Sequence, residues 1–300
     1  MAGKNVVLFA FADEAGATLS RQIDALRRNG LDGLEIRGVN GRNVCDLTET
    51  EAGEIRRRMD DAGLSVWSIG SPIGKTTPGE DDFAAECDHL RRSLVLADIL
   101  GAKRIRVFSF YIPAGQQPEE LRGEIIDRLG HFCDISQSSG VRLCHENEKG
   151  IYGDTAPRCR DLLDALPPLS AVFDPANFVQ CRQDVRAAWV LLRDRVDYLH
   201  IKDARWDGTI VPAGEGAGCV AEIAADYLAR GGRAFTLEPH LYGFGGLSAL
   251  ERPGEQSRIL ERYPDADTAF DAAYSAFADI LESSLQSVGR REGLTAGEID

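Results

Sequence analysis

Four short apolar runs between Val141 and Leu241 each lead to a residue able to bind a metal ion. Val141-Arg142-Leu143-Cys144-His145 leads to Glu146, and Ser170-Ala171-Val172-Phe173 leads to Asp174. Val196-Asp197-Tyr198-Leu199 leads to His200, and Ala234-Phe235-Thr236-Leu237 leads to Glu238. Runs of this length read as buried strands. Helix-length segments separate them, and strands joined through helices lie parallel. Four parallel strands ending in ligands would aim those ligands into one pocket.

The rest of the chain repeats the same alternation. Strands are expected over Lys4–Phe11, Asp32–Arg37, Leu64–Gly70 and Arg104–Phe110. Between them, Ile23, Leu26 and Leu31 mark a helical stripe that Thr18 or Ser20 caps and Asn29-Gly30 stops. Further helices are expected from Leu47 to Asp60, Phe83 to Leu100 and Pro118 to Ser139, the last with Pro near its start and Gly140 after its end. In the second half they fall at Ala156–Leu166, Gln183–Arg193 and Val220–Arg230, with a closing helix over Tyr263–Val288 and a loose polar tail over 290–300. Eight strand–helix units without a linker or composition break predict an α/β single domain spanning 1–300, a (β/α)8 TIM barrel. A doubly wound open sheet is the alternative. It would carry a glycine-rich phosphate loop after the first strand, and Asp13-Glu14-Ala15-Gly16-Ala17 is not one.

Bulk properties narrow the partners. Apolar residues make up 43% of the chain, enough for a sizeable core. No apolar run is long enough to span a membrane, and the Met1–Leu8 start lacks the pattern of a signal peptide. A cytoplasmic protein is expected. The seven cysteines are odd in number and scattered, which fits free thiols in a reducing compartment. A net charge of −14 repels a phosphate backbone, so nucleic acid is a poor partner.

Two glutamates, an aspartate and a histidine form a hard, oxygen-rich donor set with one imidazole. Such a set suits one divalent ion, whether Mn, Mg, Co or Zn. In a TIM barrel the active site lies at the C-terminal ends of the strands, which is where Glu146, Asp174, His200 and Glu238 fall.

At this point the sequence resembles the xylose isomerase-like TIM-barrel superfamily, closest to its sugar phosphate isomerase/epimerase branch with the ketose 3-epimerases. The matching stretches are Gly33–Arg37, Ile69–Lys75, Arg106–Tyr111, His145–Glu148, Phe173–Asn177, His200–Asp203, Pro212–Gly216 and Leu237–Leu241, in order along nearly the whole chain. The resemblance implies that Glu146, Asp174, His200 and Glu238 hold one divalent metal, and that Glu146 and Glu238 also move protons. A proton α to a carbonyl leaves only if the developing enediolate is stabilised. One carboxylate takes the proton and a second, on the opposite face, returns one. The chain departs from the epimerase pattern at Asn177, where those enzymes carry a histidine. Asn can donate to a sugar hydroxyl but cannot titrate. Arg205 stands near the place of an arginine that follows their strand-seven histidine.

Other side chains are candidates for holding a substrate. Lys75, after a Pro-Ile-Gly turn, suits a carboxylate or phosphate, or is a solvated loop lysine. Arg37 either pairs with Glu14 or Glu35 or faces substrate. Lys202 either contacts substrate or pairs with an acid. His240 stands at the rim, and Glu148 is placed to orient a ligand from behind. His145 alternates with Glu146 and is expected to be buried on the other face. Trp67 and Phe108 read as barrel core, with Tyr111 as a further apolar wall. The leading expectation is a metal-dependent isomerase or epimerase of a small carbohydrate. A dehydratase of a keto-cyclitol or polyhydroxy acid is the alternative, then a non-catalytic sugar-binding protein. An endonuclease-like hydrolase is disfavoured by the acidic balance and the single ligand set. A homodimer is compatible with a barrel of this type, though no interface is legible in the sequence.

Overall fold

The computed structural model describes residues 6–79, 81–247, 258–260 and 262–296. Eight strands form a closed parallel barrel: β1 (Val7–Ala10), β2 (Gly33–Ile36), β3 (Ser65–Ile69), β4 (Arg104–Val107), β5 (Arg142–Glu146), β6 (Ser170–Phe173), β7 (Val196–Ile201) and β8 (Ala234–Leu237). Each pairs with its neighbours in sequence, and β8 closes on β1 through Val7 opposite Ala234 and Ala10 opposite Leu237. The expected (β/α)8 barrel is the observed fold.

The outer layer holds α1 (Leu19–Arg28), α2 (Glu49–Asp61), α3 (Phe83–Leu100), α4 (Pro118–Ser136), α5 (Ala156–Ala165), α6 (Val185–Leu192), α7 (Val220–Ala229) and α8 (Ala266–Ala296). Their ends have local causes. Thr18 accepts from the Arg21 amide, and Thr48 with Glu51 forms a capping box. Gly101 ends α3 in the left-handed conformation. A short helix, Pro175–Gln180, adds to the expected set, capped by Asp174. The closing helix runs on to Ala296 rather than stopping at Val288. The end of the expected tail, 297–300, lies outside the described residues. Among the described residues no helix is long and apolar enough to cross a membrane, and all seven cysteines are free.

Strand β4 stops at Val107, short of the expected Phe110. Beyond Val107 the chain pairs with the β3–α3 loop instead: the Phe108 amide donates to Ile73 O and the Phe110 amide to Gly74 O. Phe110 turns to φ 62° as the chain leaves the barrel. Gly33 marks the opposite kind of constraint. A Cβ there would stand 1.8 Å from Ser65 O, so only glycine lets β2 approach β3.

Period-two alternation fills the barrel in layers. Cys144, Val172, Tyr198 and Ala234 form an apolar plug inside it, with Val7 and Trp67 packed on them. Trp67 stacks on Phe9 at 4.8 Å and meets Tyr198 edge-on at 6.0 Å. Two residues further along the first three of these strands come Glu146, Asp174 and His200; on β8, Thr236 and then Glu238 follow Ala234. Glu146, Asp174 and His200 therefore form the next interior layer, with Glu238 one alternation step beyond Thr236 at the C-terminal mouth.

Candidate metal centre

Ligand atoms of Glu146, Asp174, His200 and Glu238 all lie within 4.8 Å of one another, and all four residues are buried. His200 stands in the middle. Its Nδ1 is 3.1 Å from Glu146 Oε1 and 3.4 Å from Glu238 Oε2. Its Nε2 is 3.0 Å from Glu35 Oε2. Glu35 in turn accepts from the Tyr198 hydroxyl at 2.7 Å, and Tyr198 meets Ser68 Oγ at 3.3 Å. This chain of contacts rises from the apolar plug and fixes the ring with Nδ1 toward the ligand set.

The carboxylates are held from several sides. Arg106 Nη1 is 3.1 Å from Glu146 Oε2, and its Nη2 donates to the carbonyls of Gly70 and Ser71. Asn147 and Asp174 exchange two bonds: the Asn147 amide donates to Asp174 O at 2.9 Å and accepts from Asp174 N at 3.0 Å. Asn177 donates its side-chain amide to Asn147 O at 2.9 Å and to Glu146 Oε1 at 3.3 Å. Lys202 Nζ is 2.8 Å from Asp174 Oδ2 and 3.0 Å from Glu238 Oε2. Arg37 grips Asp13 through two bonds of 3.0 Å, Glu14 at 3.1 Å and Glu238 Oε1 at 3.2 Å.

Six carboxyl groups (Asp13, Glu14, Glu35, Glu146, Asp174 and Glu238) thus gather around three basic side chains, Arg37, Arg106 and Lys202. Burial and neighbouring charge both act on the titration of these groups. Burial pushes Asp174 up to about 7 against the pull of Lys202. Burial likewise pushes Glu14 up to about 8 against the pull of Arg37. For His200, burial works against the charged ring, but Glu146 and Glu35 overcome it and hold the pKa well above the ordinary value. For Glu238, burial opposes ionisation, but Lys202 and His200 keep its carboxyl well below the usual range. Two buried oxygens, Glu146 Oε2 and Asp174 Oδ2, have ion-pair neighbours but make no aligned hydrogen bond.

Above this layer a recess opens, lined by Lys75, Arg106, Phe108, Glu146, Glu148, Lys149, Asn177, Gln180, Lys202, Ile210, Glu238 and His240. Lys75 pairs with Glu148 at 3.1 Å and lies 4.6 Å over the Phe108 ring. Phe108 is therefore a wall of the recess rather than plain core. His240, at φ 47°, donates its backbone N–H to Glu14 Oε2 at 2.6 Å and brings Nδ1 to 3.3 Å from Glu14 Oε1.

Of the expected substrate contacts, Lys75, Asn177, Lys202 and His240 reach the recess. Arg37 lies behind Glu238, bound to acids that include the expected Glu14 but not Glu35. Arg205 does not reach it: its side chain is half exposed on a hairpin, 4.0 Å from Glu215. Glu148 bonds Lys75 and the Lys149 amide, and none of its hydrogen bonds goes to a ligand residue. His145 points away from the ligands, as alternation requires, and meets Ser109 Oγ at 3.0 Å. Asp203 is a positioning residue the sequence reading did not single out. It accepts from the amides of Ala204, Gly214, Gly216 and Gly218 at 2.8–3.0 Å, tying down the loop that follows β7. Its signal was the glycine spacing of 214, 216 and 218. A Cβ on Gly216 would stand 2.2 Å from Asp203 Oδ1.

The comparisons with known proteins agree with this architecture. The family model described as xylose isomerase-like TIM barrel matches residues 23–241. No curated protein matches by sequence. Among solved structures, an L-ribulose 3-epimerase superposes with TM-score 0.74 at 18% identity, covering 95% of this chain and 97% of its own. The IOLI protein with a binding zinc atom superposes with TM-score 0.72 at 15% identity, covering 93% and 99%. The probable 3-DHS dehydratase AsbF of Bacillus anthracis superposes with TM-score 0.69 at 16% identity, covering 91% and 98%.

Proposed function

The chain belongs to the xylose isomerase-like TIM-barrel family, and from that premise we propose that it is a divalent-metal-dependent isomerase or epimerase of a small polyhydroxy ketone. The observation that carries the reading is the convergence of two glutamates, an aspartate and a histidine from four consecutive strand ends to within 4.8 Å. The zinc-binding neighbour and the epimerase neighbour support it by likeness of fold.

The residues present fit a hard divalent ion. Three carboxylates and one imidazole are the donor types such an ion takes. Glu146 Oε2 and Asp174 Oδ2 are buried, each facing a cation without an aligned hydrogen bond, and the carboxyl groups outnumber the basic side chains around them. Glu146, Asp174, His200 and Glu238 would hold the ion. When bound, it supplies positive charge beside the substrate oxygen that becomes negative as the adjacent C–H loses its proton.

The protein's own groups do the rest. Glu146 ends β5 and Glu238 follows β8, so the two glutamates approach a substrate from different sides. One removes the α-proton and the other delivers a proton to the opposite face. Arg106 on Glu146 and Arg37 on Glu238 fix each carboxylate through one oxygen. Asn177 keeps its amide oxygen for a substrate hydroxyl while its NH2 positions Glu146. Phe108 gives the recess an apolar wall against which carbon can pack.

The test is solvent-deuterium incorporation into a panel of keto-sugars, keto-cyclitols and their acids by the metal-loaded enzyme. Exchange at the carbon next to the carbonyl, with product mass otherwise unchanged, is expected. Exchange with loss of water would assign a dehydratase instead. Turnover without any exchange would sink proton abstraction altogether.

A further inference from the structure

Among the recess residues that the proposed chemistry does not use, one cation contacts the metal-site carboxylates directly. Lys202 is buried, lines the recess, and places its ammonium 2.8 Å from Asp174 Oδ2 and 3.0 Å from Glu238 Oε2. Both oxygens belong to the four-residue ligand set. A divalent ion taking those oxygens and this ammonium cannot both stay there at full strength. Two like charges a few ångströms apart in a buried site repel strongly. A ligand oxygen also has few lone pairs to share.

The lysine head can move where the arginines cannot. Arg37 is held by four hydrogen bonds to three carboxylates. Arg106 is held by Glu146 and two backbone carbonyls. Among the described residues the ion pairs of Lys202 are to Asp174 and Glu238, made through a flexible four-carbon stem.

We propose that Lys202 is an exchangeable cation of this site: it neutralises Asp174 and Glu238 until a divalent ion takes their oxygens, and is then released toward the recess it lines, where it meets substrate oxygens. The proposal rests on the metal reading of the site. It makes Lys202 a competitor of the metal and, after exchange, a positioning group for substrate.

The experiment titrates Mn2+ alone into the wild-type protein and Lys202→Met, by calorimetry and equilibrium dialysis. Lys202→Met is expected to bind Mn2+ about tenfold tighter or more, because a repelling charge is gone. Unchanged or weaker binding in the variant, with a wild-type site that does take Mn2+, overturns the exchange and leaves Lys202 a strut. No Mn2+ binding by either protein sinks the metal reading, and the exchange with it. A second measurement uses the wild-type protein only, in case the variant does not fold. Trace acetylation followed by peptide mass spectrometry should show Lys202 more reactive with Mn2+ than without. Reactivity that stays level or falls as Mn2+ binds contradicts the release.

Discussion

Glu35 and His200 are 165 residues apart and share a 3.0 Å contact between Oε2 and Nε2. The contact sets which ring nitrogen faces the proposed metal site. Glu35 accepts from Nε2, so the nitrogen that faces Glu146 and Glu238, and that would give up its proton to ligate an ion, is Nδ1. A carboxylate behind a ligating histidine also raises its basicity. Glu35→Gln is expected to weaken Mn2+ or Zn2+ binding about 10- to 100-fold while leaving the barrel folded. Calorimetric titration with circular dichroism as the fold control checks this; unaltered affinity would remove Glu35 from the site.

Glu146 and Glu238 are the groups assigned to move protons. Glu146→Gln and Glu238→Gln, assayed at metal concentrations that saturate each variant, should each lower α-deuterium exchange by about 10²–10⁴-fold. Metal content measured on the same samples separates lost chemistry from lost ligation. Full-rate exchange in either variant would reassign that proton to another group.

His145 predicts an acid-sensitive fold. Burial lowers its pKa to about 3 from the ordinary value near 6.5. Between those values the unfolded chain takes up a proton that the folded chain refuses. The contribution is therefore complete above about pH 6.5 and is lost progressively as pH falls toward about 3, by roughly 4–5 kcal/mol over the whole window. His145→Gln keeps a polar group near Ser109 and cannot titrate. Its melting temperature should fall less steeply than that of the wild type between pH 7 and pH 4.5, and parallel slopes would contradict the assignment.

The Asp203 knot predicts that order in the β7 loop depends on one carboxylate. Asp203→Ala would strip four backbone N–H groups of their acceptor. A loss of about 3–5 kcal/mol is expected, since each unsatisfied buried donor costs about 1–3 kcal/mol and water recovers some of them. Gly216→Ala should act in the same direction, because its Cβ collides with the same carboxylate. Denaturant melts give the stability, and hydrogen exchange at 204–218 reports whether the loss is local.

The fold was legible because its signal repeats. Eight apolar runs spaced by amphipathic segments leave few architectures, and the element boundaries were less legible, as at Phe108–Phe110, where the chain pairs with the β3–α3 loop instead of extending the strand. The convergence of Glu146, Asp174, His200 and Glu238 was legible because each lies at or just beyond the end of an interior strand run. Glu35 was not, since it lies within Gly33–Ile36 and its purpose appears only when β2 faces β7 across the barrel. Arg37 showed an incomplete picture for the same reason: Glu14 is near in sequence, whereas Glu238 arrives from 201 residues away. Arg205 has the opposite explanation. Its distance from His200 along the chain fits the epimerase pattern, but the hairpin formed by 203–204 and 209–211 carries it outward.

The closure of β8 on β1 has a kinetic consequence. Glu14 meets His240 and Arg37 meets Glu238 across the seam where the last strand docks on the first. Contacts of such long sequence separation form late, because the loop entropy must be lost before they return anything. Metal uptake by a refolding chain would therefore time the joining of the ring, and its rate should lag behind the recovery of helical signal.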